Sequence, residues 1–247
     1  MSFPTSGVPA PAIVDRFAAG RAVRAVWVND IGGVTFRIGT DHADAEFVKV
    51  ADAGVADFAA EAARLRWAAA YLTVPPVLGV GIDGRCAWLR TRALPGVSAV
   101  HPRIRARPEL AVRAIGVGLR TLHDRLPVSS CPFDWSVATR LAGLPPAAAS
   151  GLTDLPPIDR LVVCHGDACA PNILVDERGH YCGHVDLGHL GVADRWADLA
   201  VATLSLGWNF PGRVWDPEFF EAYGVEPDPA RIDFYRRLYQ ADDATSR

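Results

Sequence analysis

The residues best suited to chemistry lie in one stretch of the chain, between positions 165 and 188. His165–Asn172 reads HGDACAPN, and the triplet DLG begins at Asp186, fourteen residues after Asn172. Transfer of a phosphoryl group needs a carboxylate beside the attacking hydroxyl and hard oxygen ligands for Mg²⁺. The pattern therefore predicts Asp167 as the catalytic base, and Asn172 and Asp186 as ligands of Mg²⁺.

The same chemistry needs a cation on the nucleotide phosphates, and Lys49 is the candidate. It is the single lysine among 25 basic residues, the rest being arginines. Because an ammonium and a guanidinium are not interchangeable where a compact charge is needed, the lone lysine indicates a function, with chance retention as the alternative. We expect Glu61, on the following helix, to hold the ammonium in place. Asp57 is the rival, although a helix cap would also explain it.

The elements around these residues predict an α+β chain of two lobes. Residues 1–94 form a small antiparallel-sheet lobe with one helix, and residues 95–247 form a larger, mainly helical lobe. Apolar alternation and turn residues predict the strands, and apolar spacing of three and four predicts the helices. In the small lobe we expect strands at 22–28, 34–38, 46–50, 77–82 and 86–94, with a helix from Asp57 towards the prolines at 75 and 76.

The larger lobe is expected to hold four helices, one short buried strand and one hairpin. The helices are predicted at 108–126, 194–207, 217–223 and 229–239, the strand at 161–164 and the hairpin at 173–187. Residues 140–160, rich in Ala, Pro and Asp, are expected to be a mobile loop, and the tail from Ala241 is expected to fray.

The turn between the first two strands has the composition of a phosphate-covering loop. It reads NDIGG over residues 29–33, and Asp30 and Gly32 are predicted to bring backbone N–H groups close to phosphate. An ordinary hairpin turn is the alternative, because hairpins also favour glycine.

Composition excludes several classes of protein. Half of the residues are hydrophobic and the net charge is −3, which argues against a disordered chain and against a nucleic-acid partner. No apolar run reaches the length of a membrane span, and the N-terminal segment lacks the pattern of a signal peptide. Five scattered cysteines predict no disulfide framework, so we expect a cytoplasmic protein.

The stretch VVCHGDACAPNILVD, followed by GHVDLGHLGVADRWADLA, resembles the signature of the bacterial aminoglycoside O-phosphotransferases. The resemblance runs from about residue 25 to 239. It is nearest the aminoglycoside 3′-phosphotransferases, with streptomycin 3″-phosphotransferases close behind. It implies a bilobal protein-kinase-like fold that binds ATP between its lobes, and an antibiotic-resistance function.

The resemblance also implies roles for individual residues. Lys49 would bind the α- and β-phosphates and pair with Glu61, His165 would organise the catalytic loop, and Asp198 would brace that loop. A hinge segment would meet adenine through backbone groups; its residues are Arg92, Ala93 and Leu94.

An aminoglycoside is a polycation, so we expect an acidic substrate groove beside the catalytic loop. Tyr239 lies at a family contact position where an Asp is usual, which leaves the regiochemistry open. Trp208 and Trp215 are candidates for the wall of a sugar site. The acidic candidates for the groove are Asp154, Asp159, Glu218, Glu221, Asp242 and Asp243.

The first hypothesis is therefore an ATP- and Mg²⁺-dependent kinase of an aminoglycoside 3′-hydroxyl, with GTP as an alternative donor. A streptomycin-type 3″-hydroxyl, another hydroxylated small molecule, or a non-catalytic nucleotide-binding module remain open. We expect a monomer, with a dimer as the alternative. A zinc site is a further alternative, and its ligands would come from Cys164, Cys169, Cys182, His184 and His189.

Overall fold

The computed structural model describes residues 7–29, 32–40 and 44–245. These residues form two compact units. The small unit comprises residues up to 70 together with 74–95, and the large unit comprises 71–73 together with 96–245. No helix in the described parts of the chain is both long and apolar enough to cross a membrane.

The small unit is built on a five-stranded antiparallel sheet in the order β1-β2-β3-β5-β4. Its elements are α1 (Ala12–Ala18), β1 (Val23–Val28), β2 (Val34–Ile38), β3 (Glu46–Asp52), α2 (Phe58–Ala68), β4 (Val77–Asp83) and β5 (Cys86–Arg92). Alternate apolar residues of β2 and β3, such as Phe36 and Val48, point into one buried cluster, as the period of two in a strand requires.

Helix α1 corrects the expectation of a single helix in this part of the chain. It has seven residues and no side-chain hydrogen bond at its N-cap, Pro11, so the sequence carries too few helical turns and too weak a cap to predict it. It forms because Ile13 and Val14 are buried against the sheet. Helix α2 also ends earlier than expected, at Ala68, because the following residues join the large unit, where Thr73 O accepts a hydrogen bond from His184 N.

The large unit is mainly helical, with short strands that frame the predicted catalytic segment. Its helices are α3 (Pro102–Arg105), α4 (Pro108–Arg125), α5 (Val137–Gly143), α6 (Pro146–Ala149), α7 (Trp196–Asn209), α8 (Asp216–Tyr223) and α9 (Pro229–Thr245). Its strands are β6 (Val97–Ser98), β7 (Leu161–Cys164), β8 (Ile173–Val175), β9 (Tyr181–His184) and β10 (Gly191–Asp194). Strand β7 pairs with β10, and β8 lies between β6 and β9.

Two segments of the large unit are more ordered than the sequence predicts. A mobile loop was expected over 140–160, but most of residues 140–149 belong to the two short helices α5 and α6, and the Ser136 hydroxyl caps the first of them; residues 150–160 form no helix or strand. Helix α9 continues to Thr245 instead of fraying from Ala241. Both outcomes depend on contacts between residues that are far apart in the sequence.

The strongest of these contacts joins α5 to α9. The Arg140 guanidinium lies 2.6 Å from Asp242 Oδ2 and is only 2% exposed, while the Asp242 side chain is 24% exposed. Arg140 also lies over the ring of Trp135, 5.0 Å from its centroid. A buried cation needs its counter-ion, so this pair holds the C-terminal helix against α5.

We predict that Asp242→Asn lowers the free energy of unfolding by roughly 2–4 kcal/mol, because it leaves the buried Arg140 charge without its counter-ion. Urea denaturation measures the change. Asp233→Asn is the matched control, since Asp233 pairs with Arg237 on the surface of the same helix and its side chain is 70% exposed. Equal effects of the two substitutions would contradict this account of the C-terminal helix.

Candidate active site

The segment 165–172 forms a tight loop between β7 and β8 and ends in a short 3₁₀ turn over Ala170–Asn172. Gly166 adopts a left-handed conformation, with φ of +84°. A Cβ atom at this position would lie 2.2 Å from the carbonyl oxygen of His189, so only glycine fits. The chain therefore turns away from the direction of β7 at Gly166, and Asp167 is the next residue.

Asp198, near the start of α7, braces this loop. Its carboxylate is fully buried and accepts hydrogen bonds from the backbone N–H groups of His165 at 2.6 Å and Gly166 at 3.0 Å. His123 Nε2 lies 3.0 Å from the same carboxylate. Burial acts to raise the pKa of Asp198, but the hydrogen bond and charge of His123 and the contacts of His165 hold it below its ordinary value.

His123 is a positioning residue that the sequence analysis missed. It lies on α4, its Nδ1 is 2.8 Å from the hydroxyl of Tyr223 on α8, and it is 3% exposed. The available signal was a histidine on the apolar face of an amphipathic helix, because a buried imidazole needs partners for both nitrogens.

The ring of His165 connects the loop to the segment that carries Asp186. Its Nδ1 accepts a hydrogen bond from Asp167 N at 3.3 Å, and its Nε2 donates to Val185 O at 3.0 Å. Val185 N in turn donates to Asn172 O at 3.0 Å. His165 therefore fixes the backbone of Asp167 relative to that of Asp186, which is consistent with the organising role expected for it.

The β8–β9 hairpin brings Asn172 and Asp186 together. Ile173 pairs with His184, so Asn172 continues the ladder opposite Val185 and Asp186 follows directly. Asp186 has φ of +62°, a left-handed conformation that Asp tolerates better than most side chains. Such strain is concentrated at functional sites.

The two carboxylate oxygens of Asp167 differ in their hydrogen bonding. Asn172 Nδ2 donates to Asp167 Oδ2 at 2.9 Å and to the Asp167 carbonyl oxygen at 3.0 Å. Within the described residues, no N–H or O–H group donates to the buried Oδ1. A buried carboxylate oxygen without a donor costs about 1–3 kcal/mol or more, which indicates that a ligand group binds there.

The residues present suit a magnesium ion. Because Asn172 Nδ2 faces Asp167, the amide group offers its carbonyl oxygen elsewhere, and Asp186 adds a carboxylate from the adjoining backbone. Amide and carboxylate oxygens are the hard ligands that Mg²⁺ prefers. The unpartnered Asp167 Oδ1 is a further oxygen in the same loop.

The zinc alternative has no support in the described residues. The only set of three His, Cys, Asp or Glu side chains within ligand distance there is His123, Cys164 and Asp198, and both His123 nitrogens and both Asp198 oxygens already take part in hydrogen bonds. Burial and then the charge of Asp167 raise the pKa of the Cys169 thiol well above its ordinary value, so this cysteine stays a neutral thiol. The other residues proposed for zinc do not join the set: Cys182, His184 and His189.

In the small unit, the structure brings Lys49 and Glu61 together. Lys49 Nζ lies 2.7 Å from Glu61 Oε1, and the Glu61 side chain is 7% exposed. Asp57 instead caps α2 by accepting a hydrogen bond from Ala60 N at 2.9 Å. Asp57 is therefore a helix cap, and Glu61 is the residue that pairs with Lys49.

The structure describes the turn only in part and the hinge segment in full. Gly32 has φ of +81°, and its N–H group donates to Asn29 O at 3.3 Å, so this N–H group is already used within the turn. Asp30 lies outside the described residues. In the expected hinge, Arg92 N donates to Pro76 O and Ala93 N to Ala45 O, both at 2.9 Å. These two N–H groups are therefore not available to adenine, which leaves the Leu94 N–H and the carbonyl groups of the segment.

Four of the six acids expected in the substrate groove are paired with arginines. Asp154 binds Arg237 at 2.6 Å, Asp159 binds Arg195 at 2.6 Å, Glu218 binds Arg213 and Asp242 binds Arg140. These four carboxylates join loops and helices of the large unit instead of presenting unpaired charge. Glu221 is exposed and Asp243 is half-buried. Tyr239 does lie beside the catalytic loop, with its hydroxyl 3.8 Å from Cys169 Sγ.

Comparison with known proteins shows the family to which the chain is related. The sequence profile of the phosphotransferase enzyme family matches residues 29–235. The chain is 34% identical to an aminoglycoside 3′-phosphotransferase of Streptomyces fradiae, over 74% of this chain and 78% of that protein. It is also 34% identical to a streptomycin 3″-kinase of Streptomyces griseus, over 93% of this chain and 96% of that protein.

A solved structure shows the same architecture. The crystal structure of an aminoglycoside 3′-phosphotransferase of type VIII superposes with a TM-score of 0.73 at 32% identity, and covers 90% of this chain and 93% of its own. The chain belongs to the phosphotransferase enzyme family, and the expected kinase-like α+β fold is confirmed.

We predict that Gly166→Ala destabilises the large unit much more than the left-handed conformation alone would, because the new Cβ meets the backbone of His189. Gly20→Ala is the matched control: its φ is +86°, and nothing lies within 4 Å of a Cβ there. The control should cost about 1–2 kcal/mol, the penalty of the left-handed conformation. Thermal denaturation of both variants tests this, and similar losses would refute the steric argument.

Proposed function

We propose that this protein transfers the γ-phosphoryl group of ATP to a hydroxyl group of an aminoglycoside, with the 3′-hydroxyl as the leading acceptor. The proposal rests mainly on the hydrogen bonding of the Asp167 carboxylate. One of its carboxylate oxygens accepts a hydrogen bond from Asn172, and the other is buried with no N–H or O–H donor among the described residues. A hydroxyl group of an acceptor is the kind of donor that such an oxygen lacks.

The proposed roles follow from the groups already described. Asp167 accepts the hydrogen bond of the acceptor hydroxyl and orients its oxygen for attack, then takes its proton as the new O–P bond forms. Mg²⁺, when bound by the amide oxygen of Asn172 and the carboxylate of Asp186, would neutralise charge on the phosphates. Lys49, oriented by Glu61, supplies a further positive charge to the phosphates.

The support for an aminoglycoside comes from the relatives, whose names include this class of antibiotic. Phosphorylation would confer resistance by inactivating the antibiotic. An enzyme that consumes ATP works where ATP is abundant, so we place the activity in the cytoplasm.

A streptomycin 3″-hydroxyl is the second candidate acceptor, and the similarity to a 3″-kinase supports it. The 3″-kinase aligns with 93% of this chain at 34% identity, and the type VIII 3′-phosphotransferase with 90% at 32%. A coupled assay of ATP consumption with kanamycin, neomycin, amikacin and streptomycin, followed by NMR of the product, distinguishes the two positions. Absence of turnover with all four would overturn the proposal.

We expect Asp167→Asn to lower kcat by about 100-fold or more, which is the usual contribution of a general base. The fold should persist, because an Asn side chain can still accept the hydrogen bond from Asn172. Steady-state kinetics and thermal denaturation provide the measurements. Glu177→Gln, which removes an exposed carboxylate from the turn of the neighbouring hairpin, should change neither; near-normal turnover of Asp167→Asn would remove Asp167 from its proposed role.

Lys49→Arg is expected to raise KM for ATP or to lower kcat, although it preserves the charge. The guanidinium is planar and longer, so it cannot replace the ammonium 2.7 Å from Glu61 without displacement. Arg90→Lys is the converse exchange at the ion pair with Glu46 in the same sheet and should leave both constants unchanged. If Lys49→Arg had wild-type kinetics, chance retention would explain the lone lysine.

A further inference from the structure

The last turn of α7 exposes an aromatic side chain beside the catalytic loop. All seven tryptophans lie in the described parts of the chain, and Trp208 is the exposed one, at 55%. Trp215, the other candidate for a sugar site, is 5% exposed and donates its Nε1–H to Phe210 O at 2.8 Å. Trp215 is therefore part of the core, and Trp208 keeps a large apolar face towards solvent.

Helix α7 is fixed to the catalytic loop one turn before Trp208. Ser205 Oγ accepts a hydrogen bond from Ala170 N at 2.8 Å, and Asn209 Nδ2 donates to Ser205 O at 2.9 Å. Residues three apart lie on the same face of a helix, so Trp208 follows Ser205 on the face that meets the loop. The hydrogen bond between Ala170 N and Ser205 Oγ therefore fixes the last turn of α7, and with it Trp208, relative to the loop.

Tyr239 on α9 continues the aromatic surface towards Asp167. The rings of Trp208 and Tyr239 are 6.3 Å apart with an interplanar angle of 39°, within the range of favourable aromatic pairs. The Tyr239 hydroxyl lies 3.8 Å from Cys169 Sγ, and the charge of Asp167 in turn acts on the Cys169 thiol. The two rings therefore lead from solvent to Cys169, which lies two residues after Asp167 in the same loop.

Most of the acids expected to recognise the substrate are paired with arginines. Asp154 and Asp242 bind Arg237 and Arg140, whereas Asp243, also on α9, is half-buried and its charge acts on Tyr239. The surface beside the loop therefore combines one acid with exposed aromatic area.

We propose that Trp208 and Tyr239 form an aromatic platform that binds the acceptor, with the aminosugar ring that carries the reacting hydroxyl stacked on the indole of Trp208. This inference rests on the proposed function. An indole face attracts both the C–H groups of a sugar ring and its ammonium groups, through dispersion and cation–π attraction. Tyr239 supports the indole and closes the inner end of the platform against the loop.

The test compares Trp208→Ala and Trp208→Phe with Val214→Ala, a control at an apolar residue of the same unit that is 72% exposed. Trp208→Ala should raise KM for the aminoglycoside about 5- to 30-fold, in line with aromatic contacts to a cationic ligand. KM for ATP and thermal stability should stay unchanged. Trp208→Phe should recover much of the loss, because it restores an aromatic face. An aminoglycoside KM within twofold of wild type in Trp208→Ala would overturn the platform while leaving the kinase function intact.

A binding measurement separates this inference from the proposed function. Titration of the wild-type protein with kanamycin or streptomycin should change the tryptophan fluorescence, and the change should be lost in Trp208→Phe and kept in Val214→Ala. If the wild type binds in this way but consumes no ATP, the platform holds and the kinase function fails. If Trp208→Phe shows the wild-type fluorescence change, or if the wild type shows none, the platform is refuted.

Discussion

The catalytic loop depends on one buried carboxylate. Asp198 is inaccessible to solvent and satisfies two successive backbone amides at the point where the chain leaves β7. A buried anion is tolerated only when it is fully hydrogen-bonded, and His123 supplies the remaining contact. Because Asp198 lies on α7, His123 on α4 and its partner Tyr223 on α8, the same interaction that shapes the loop also ties three helices together.

The two oxygen ligands expected for Mg²⁺ are positioned by backbone structure more than by their own side chains. The ladder of the β8–β9 hairpin sets Asn172 opposite Val185, and the left-handed conformation of Asp186 turns its carboxylate out of the strand direction. Asn172 in turn orients Asp167. Groups fixed in this way need little reorganisation during the reaction, which is the main contribution a protein makes to phosphoryl transfer.

The arginine-rich composition also shapes substrate recognition. Four of the six acids with the right sequence position for a polycation are paired with arginines. Three of these pairs join α5 to α9, and the loop before β7 to α9 and to the start of α7, whereas the pair of Glu218 with Arg213 is local to α8. An arginine fork holds a carboxylate in a fixed geometry, which suits it to such connections. The carboxylates then stabilise the unit, and the exposed Trp208, in contact with the half-buried Tyr239, is the distinctive surface beside the loop.

The sequence by itself predicted a chemistry for the site and determined most of the elements that carry its residues. The spacing of Asp167, Asn172 and Asp186 predicted one loop and one hairpin, and the lone lysine predicted an ion pair with the next helix, because each depends on short-range periodicity and turn residues. Only the tertiary structure decided that α1 forms, that α9 runs to Thr245, which acids meet arginines, and that Trp208 rather than Trp215 faces solvent. These outcomes depend on partners far apart in the chain, and a local pattern of residue types carries no information about such partners.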